Sequence, residues 1–466
     1  MKWLFLTMSI KVELSKLSKT EAKQIQKDLN IVKESSFYLK KKQRFGGGGS
    51  ETIVKFYSVS DDAKHVFLPF TYGRALTKDF PNDDLEYAEA KLTFKGNLRK
   101  NQEEVIDEAL EHLNKTRTVL LALCTGFGKT VLGAYLSVTI GLRVCVLYHR
   151  SNLGVQWEKT FRDNTDGSIW TVGEGAYENQ NIILCMGTRV HKIPEEIVST
   201  IGTLIVDEAH CFCTPTAPSI FLKFTPKYII LETATPDRKD GMDQIIYDLI
   251  DGESVVHRIS EKPFTVFKLM TEIELTIKRD QDGSINWPDL IDKYTKDKER
   301  NNILLTITRR FKEKKILFLT ERNDHVLALS ELMKPEIVAT MSGTQTNYND
   351  ARILIGNISK LGTGFDQEAA CLDFGGVRID LVVLCVSIKS LSRLEQCVGR
   401  GLRSEYPTII HLVDGIDLIR KSHWRECSKW YKSRKATVYE VSCDDLFIPR
   451  LNWEKVGEEL LETEIK

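Results

Sequence analysis

The sequence predicts an α/β protein: two tandem domains, each a parallel sheet layered with helices, behind a small N-terminal β-containing module. Three observations carry this. From about residue 91 onward, strand-sized apolar runs alternate with helical stretches, the pattern of parallel α/β layers. The alternation comes in two series, separated by a charged, glycine-containing stretch at residues 277–300. Within the first series, residues 120–124 read as a buried strand. This strand breaks into a glycine-containing turn and then the amphipathic start of a helix at Val131, Leu132, Ala134 and Tyr135. A chain of 466 residues is long enough for about two to four domains with cores of their own.

Taken in order, residues 1–45 read as a basic helix or arm. The first fifty residues hold eleven Lys/Arg against four Asp/Glu, with a helical pattern through Leu14, Leu17, Ala22, Ile25 and Leu29. Such an arm either touches phosphates or is a solvated helix and linker. Gly46-Gly47-Gly48-Gly49-Ser50 is a flexible joint, a composition shared by natural and engineered linkers. Residues 52–59 and 66–70 read as strands, so 46–90 form the small module. Residues 91–262 form the first α/β domain, with strands at 118–123, 144–148, 182–185, 203–206 and 228–232. Residues 263–300 are expected to connect it to the second domain, 301–442, with strands at 315–320, 337–339, 351–356, 381–386 and 408–413. Residues 443–466 are a tail whose acidic stretch, 454–464, reads as a solvated helix.

Composition excludes several classes. The chain is 42% hydrophobic and 28% charged, with 65 basic and 65 acidic residues, so a nucleic-acid site must be a local patch. Ten cysteines, none in a C-x-x-C pair, read as reduced thiols of an intracellular protein, and no His/Cys spacing fits zinc. Trp3-Leu4-Phe5-Leu6 is too short for a signal-peptide core, and no apolar run could span a bilayer, so a soluble protein without membrane partners is expected.

The chemistry starts at Cys124-Thr125-Gly126-Phe127-Gly128-Lys129-Thr130. Strand, glycine turn and helix start make a phosphate cradle, since backbone N–H groups and the helix dipole favour an anion there. Lys129 would reach the β- and γ-phosphates and the Thr130 hydroxyl would hold Mg²⁺. The strict pattern wants glycine at 123, where this chain has Leu123; a plain strand–turn–helix is the alternative. Asp207-Glu208-Ala209-His210 follows directly on Leu204-Ile205-Val206, and carboxylates just past a buried parallel strand sit where such sheets bind ligands. Alone, an acidic pair there is a helix cap. After a phosphate cradle, Asp207 would share the Mg²⁺ with Thr130 and Glu208 would orient or deprotonate the attacking water. Near the other end, Gln396-Cys397-Val398-Gly399-Arg400-Gly401-Leu402-Arg403 places two arginines three apart, expected on one helix face. They serve either to stabilise charge on a transferring phosphoryl group or as structural ion pairs.

Over residues 91–440 the sequence resembles the superfamily 2 DEAD/DEAH-type helicases and translocases. Leu98-Arg99-Lys100-Asn101-Gln102 is similar to the adenine-reading element, and residues 125–130 to motif I. His149-Arg150-Ser151-Asn152-Leu153-Gly154-Val155-Gln156-Trp157 is similar to motif Ia, and Gly187-Thr188-Arg189 to motif Ib. Residues 207–210 match motif II, Thr233-Ala234-Thr235-Pro236 motif III, and Phe318-Leu319-Thr320-Glu321-Arg322 motif IV. Gly362-Thr363-Gly364-Phe365-Asp366 resembles motif V and residues 396–403 motif VI. The His-Arg-x-x-Leu-x-x-Gln-Trp of motif Ia and the Asp237-Arg238-Lys239-Asp240-Gly241 after motif III resemble the XPB-type and UvsW-type branch. XPB-type enzymes have an acid where this chain has Lys239. A short N-terminal module is also similar to helicases of large cytoplasmic DNA viruses, including poxvirus transcript-release factors.

The resemblance implies two RecA-like domains and the cofactors ATP and Mg²⁺. It implies that Gln102 reads the base and that Thr125, Gly126, Gly128, Lys129 and Thr130 hold the nucleotide. Asp207 would complete the metal site and Glu208 the water. Gly364 and Asp366 would face the nucleotide from the second domain, and Arg400 and Arg403 would be arginine fingers. His210, Thr233, Thr235 and Gln396 would couple hydrolysis to motion, and Arg150, Thr188, Arg189 and Thr363 would line a nucleic-acid track. It further implies a monomer acting on DNA, with RNA and the transcription machinery as other partners, in the host cytoplasm or virion if the source is viral. Three functions remain open on the residues: a helicase or translocase, an ATPase that remodels nucleoprotein complexes such as a stalled polymerase, and an ATP-switched clamp or sensor. The basic, aromatic stretch 420–435 is either a nucleic-acid surface or, through Ile416, Ile419, Trp424, Cys427 and Tyr431, the buried face of a last helix; packing is the simpler reading.

Overall fold

The computed structural model describes residues 10–33, 52–78, 85–238, 240–259, 262–281, 283–334, 336–362, 365–416, 419–447 and 458–459. The Gly-rich joint, Lys239, Thr363 and Gly364 lie outside the described residues. The chain divides into two compact units, Met1–Arg258 and Ile259–Lys466.

The first unit begins with strand β1 (Ile10–Glu13), helix α1 (Lys19–Asp28) and β2 (Asn30–Lys33). Then come β3 (Thr52–Lys55), β4 (Ser58–Val59), β5 (His65–Leu68) and α2 (Phe70–Thr77). Residues 10–33 are therefore not an arm. β1 pairs antiparallel with β5, and β2 with β3, so both sides of the Gly-rich joint belong to one module. The lysines that make the stretch look like an arm take the solvent side. In β1, Ile10 and Val12 are buried while Lys11 and Glu13 are exposed, the period-two alternation of a half-buried strand. Ser18 caps α1 with a reciprocal Glu21 contact, starting the helix five residues later than Leu14. Ile10, Ile25, Leu29, Phe56 and Leu68 join the same apolar core as Leu120, Leu204 and Ile229 of the sheet that follows, so the module is packed onto one face of that sheet.

That sheet is built from β6 (Thr118–Leu123), β7 (Val144–Tyr148), β8 (Ile169–Thr171), β9 (Ile182–Met186), β10 (Thr203–Asp207), β11 (Tyr228–Thr233) and β12 (Val255–Arg258). Its order is β12-β6-β11-β10-β7-β9-β8, parallel throughout. The strands are apolar on both faces because both are covered. Helices α3 (Lys100–Thr116), α4 (Lys129–Ile140) and α5 (Ser151–Asn164) pack on the face opposite the module.

In the second unit, β13 (Thr265–Met270), β14 (Ile316–Thr320), β15 (Val338–Met341), β16 (Ile353–Asn357), β17 (Leu381–Leu384), β18 (Thr408–Val413), β19 (Thr437–Ser442) and β20 (Glu458–Glu459) form a second sheet. Its order is β15-β16-β14-β17-β18-β13-β19-β20, parallel except for β20. Helices α6 (Trp287–Lys296), α7 (Lys298–Arg310), α8 (Asn323–Leu332), α9 (Gln367–Ala370), α10 (Leu391–Val398) and α11 (Trp424–Ser433) surround it. The two parallel-sheet domains are RecA-like in kind. Two expectations are corrected. The stretch 263–300, expected to be a connector, contains β13, an interior strand held between β18 and β19. Its partners lie more than a hundred residues downstream, where local pattern gives no sign of them. In the acidic tail, Glu458–Glu459 pair antiparallel with β19 as a strand rather than a helix; the rest of 448–466 lies outside the described residues. In α11, Trp424, Cys427, Trp430 and Tyr431 are buried, which decides for packing over a nucleic-acid surface.

Candidate active site

The carboxyl ends of β6, β10 and β11 lie side by side, and the polar residues cluster there. After β6 the chain turns through Gly126 (φ 84°) and Gly128 (φ 98°), both in the left-handed region that glycine adopts without strain. Gly128 is also a close approach, for a Cβ there would meet Gln102 Nε2 at 2.4 Å. Gln102 is buried and tied into the turn: its Oε1 accepts from Arg99 N at 2.9 Å and its Nε2 donates to Phe127 O at 3.0 Å. The expected base reader is thus engaged here in holding the turn to the start of α3. Lys129 and Thr130 begin α4, and Lys129 Nζ donates to Leu123 O at 3.3 Å, which lays the ammonium across the turn. Thr125 stands at the mouth of the same turn.

On the next strands, Asp207 ends β10 and is buried, its Oδ2 accepting from Trp157 Nε1 at 2.9 Å. Burial first, then the adjacent Glu208 carboxylate, push its pKa upward, so that it holds its proton more tightly than an ordinary carboxyl. A hydroxyl and a buried carboxylate are hard oxygen donors of the kind Mg²⁺ takes, so Thr130 and Asp207 fit that ion. Glu208 adopts a left-handed backbone (φ 50°, ψ 52°), unusual for a residue with a side chain and typical of strain kept at working sites. Its Oε2 lies 3.4 Å from His210 Nδ1, which is 2.8 Å from Thr233 Oγ1. Thr235 N donates to that hydroxyl at 3.1 Å, and Arg238 Nη1 donates to His210 O at 3.0 Å. Burial holds His210 below its ordinary pKa, toward the neutral form. The structure therefore brings together Lys129, Thr130, Asp207, Glu208, His210, Thr233 and Thr235, as a line from the cradle into motif III.

Arg150, Thr188 and Arg189 follow the ends of β7 and β9, farther along the same sheet edge. Arg150 stands at the N-cap position of α5 and is half-buried, Thr188 is exposed, and Arg189 donates to Val172 O at 3.1 Å.

In the second unit the arginines of motif VI are not on one helix face. α10 ends at Val398, and Arg400 and Arg403 sit in the turns beyond it. Arg400 is buried and donates to Phe365 O at 2.5 Å and Gly362 O at 2.6 Å. Arg403 Nη1 donates to Asp366 Oδ2 at 2.6 Å, while Asp366 caps α9 by accepting from Glu368 N and Ala369 N. Burial alone would raise Asp366, but the Arg403 guanidinium and these amides hold it below the usual carboxylate range. Gln396 is buried on α10, and Glu321 of motif IV is paired with Arg393 at 2.5 Å.

Three residues to which the sequence assigns no role stand at this site. Gln156 and Trp157 lie within motif Ia and point at Thr130 and Asp207. Glu232 is fully buried, and neither carboxyl oxygen has a hydrogen bond. A Cβ on Gly133 would meet Glu232 Oε1 at 2.6 Å, so the acid lies under α4, and it registers beside Asp207. Its signal in the sequence is an acid at the end of the apolar run 228–232, directly before motif III.

The family profile described as Type III restriction enzyme, res subunit, matches residues 95–238. The 161L protein of Invertebrate iridescent virus 6, named as a helicase, is 25% identical over 407 residues, covering 80% of this chain and 89% of that protein. The Transcript termination protein of Variola virus is 21% identical over 344 residues, covering 65% of this chain and 67% of that protein. Among solved structures, Saccharomyces cerevisiae Dbp5 bound to RNA and ADP BeF3 shares the fold, with a TM-score of 0.51 at 13% identity over 74% of this chain and 90% of that one. No helix among the described residues is long and apolar enough to cross a membrane. With the motifs in order along two parallel sheets, the chain is similar to helicases over most of its length, and ATP-dependent helicase is the activity that these likenesses support.

Proposed function

We propose that the enzyme is a helicase or translocase that couples ATP hydrolysis to movement along nucleic acid or to strand separation, with DNA the preferred substrate. The observation that supports this best is the line from Lys129, Thr130 and Asp207 through Glu208 to His210 and Thr233, which joins a phosphate cradle to motif III. Lys129 takes the β- and γ-phosphates, with Thr125, Gly126 and Gly128 shaping the turn around them. Thr130 and Asp207 hold Mg²⁺, which neutralises phosphate charge when bound. Glu208 orients the attacking water, and His210, Thr233, Thr235 and Gln396 pass the change of state onward. Arg400 and Arg403 supply charge to the transferring phosphoryl group, and Gly364 and Asp366 support them. Arg150, Thr188, Arg189 and Thr363 grip the phosphate backbone, giving affinity without sequence reading. The DNA preference rests on the motif Ia sequence shared with the XPB-type and UvsW-type branch.

ATPase rates measured in parallel with single-stranded, duplex and forked DNA and with RNA test the reading. The expected result is strong stimulation by DNA, lost in Lys129→Ala while that variant still binds DNA. Equal rates with and without any nucleic acid would sink it. A second reading, release of a transcript from a stalled polymerase without processive unwinding, is favoured by the likeness to the Variola virus Transcript termination protein. Strand-displacement and transcript-release assays on one preparation separate the two.

A further inference from the structure

Helix α5 carries Arg150 at its N-cap, yet its inner side serves a different end. Two consecutive side chains of its second turn reach the two oxygen donors assigned to Mg²⁺. Gln156 Nε2 donates to Thr130 Oγ1 at 3.3 Å, and Trp157 Nε1 donates to Asp207 Oδ2 at 2.9 Å. Each contact occupies one acceptor position of its partner and leaves another. A hydroxyl has two lone pairs and a carboxylate has a second oxygen, so both remain able to bind a cation while their orientation is held. Trp157 has no freedom to move alone. It is fully buried, its ring lies 5.6 Å from that of Phe161, and a Cβ on Gly133 would meet it at 2.7 Å. A packed helix moves as a body, so a displacement at Arg150 is carried about 10 Å along α5 to Trp157.

We propose that α5 is a positioning lever, in which Gln156 and Trp157 hold the Thr130 hydroxyl and the Asp207 carboxylate in the orientation that receives the divalent cation, so that nucleic acid seated at Arg150 is felt at the metal site. This rests on the function proposed above, which assigns the cation to Thr130 and Asp207 and the nucleic acid to Arg150. Side chains that orient metal ligands from behind are worth about 10–100-fold in metal affinity. Coupling between the sites is reciprocal, so nucleic acid should lower the Mg²⁺ requirement by the factor by which Mg²⁺·nucleotide tightens nucleic-acid binding.

The test uses the full chain and two readouts: anisotropy of a fluorescent ADP titrated with Mg²⁺, and ATPase against Mg²⁺, each with and without a single-stranded oligonucleotide. Trp157→Phe keeps an aromatic ring and removes the N–H; Gln156→Leu, at a half-buried position, keeps the test decisive if the first variant does not fold. Each should raise the half-saturating Mg²⁺ concentration about tenfold or more. Fluorescent-ADP affinity in EDTA should be unchanged, and the lowering of the Mg²⁺ requirement by the oligonucleotide should shrink toward none. Folded variants with the parent Mg²⁺ curves and the parent oligonucleotide effect would overturn the lever. Asp207→Asn separates the two failures. If it shifts the Mg²⁺ curve and neither lever variant does, the lever alone is wrong; if it also leaves the curve in place, the metal assignment has failed and the lever falls with it.

Discussion

The two units answer the same problem, buried charge in a parallel α/β layer, in opposite ways. In the second unit buried charges are matched. Arg300 and Asp414 are both fully buried, joined at 3.0 Å; Arg300 also donates to Cys385 O at 2.7 Å, and Asp414 accepts from Thr271 Oγ1 at 2.8 Å. Arg300 stacks over the Tyr294 ring at 4.2 Å, Arg403 is held by Asp366, and Arg400 is engaged by two carbonyls. In the first unit three acids, Asp207, Glu208 and Glu232, gather at one sheet edge, and Asp207 and Glu232 are pushed above the usual carboxylate range, first by burial. Burying charge without a partner is unfavourable, so such acids are either kept neutral by a proton or balanced by a nearby cation such as Lys129. The second unit pairs its charges internally; the first gathers its acids beside a single lysine, Lys129. One edge carries a surplus of acid, and the other is closed by its own ion pairs and carbonyl contacts.

The sharpest way to break this comparison is Arg400→Ala. If Arg400 exchanges its carbonyl partners for phosphate during turnover, nucleic-acid-stimulated ATPase should fall by a factor on the order of 10³–10⁵ with nucleotide binding intact. A folded variant with near-normal stimulated turnover would leave Arg400 as a fastener of Gly362 and Phe365 alone. Next in size is Arg300→Met, which strands a buried Asp414 and should cost about 3–5 kcal/mol in denaturant unfolding of the second unit. The double variant Arg300→Met/Asp414→Leu should recover most of that; equal loss in both would show that the pairing is not what matters.

A third test concerns pH. Burial pushes Asp248 up to about 7, and its Oδ2 has no hydrogen bond. Its folded-state pKa lies above the unfolded value near 3.9. Between about pH 4 and 7 the folded state therefore holds a proton that the unfolded state has lost. Stability should fall as pH rises through that window, by on the order of a few kcal/mol. Asp248→Asn should flatten the slope, measured as unfolding midpoints across the window, and an unaltered slope would assign it to other groups. The smallest effect is expected from Glu232→Leu. Replacing an unpartnered buried acid by an apolar side chain should stabilise the first unit by about 1–3 kcal/mol. Destabilisation by a similar margin would mean that the carboxyl has an internal partner after all.

What could be read from the sequence follows from how far apart the interacting residues lie along it. The cradle was legible because strand, turn and helix are contiguous over residues 118–140, and motif II because Asp207 and Glu208 end a strand whose apolar run announces them. The arginines of motif VI were legible as a pair but not in their conformation, since two glycines ending a helix look, in one dimension, much like two glycines inside it. β13 is six residues of ordinary alternation whose meaning comes only from β18 and β19. The module was split at its Gly-rich joint because β2 and β3 find each other across it. Glu232, Gln156 and Trp157 acquire significance from neighbours 25, 26 and 50 positions away in the chain.

The strand that ends the first unit has a mechanical consequence. β12 lies beside β6, in parallel register from Val255↔Leu120 to Arg258↔Leu123, and Arg258 O accepts from Cys124 N at 3.0 Å at the mouth of the cradle. Arg258 Nη2 is also anchored to Glu108 on α3 at 2.7 Å. The chain leaves for the second unit immediately after this residue. Tension on that exit would fall on the edge strand adjoining the glycine turn. Pulled along its axis, β12 loads its row of hydrogen bonds together, in shear, rather than one after another as in peeling. A row of this kind holds Arg258, and with it the Cys124 amide at the start of the glycine turn, against a pull along the strand.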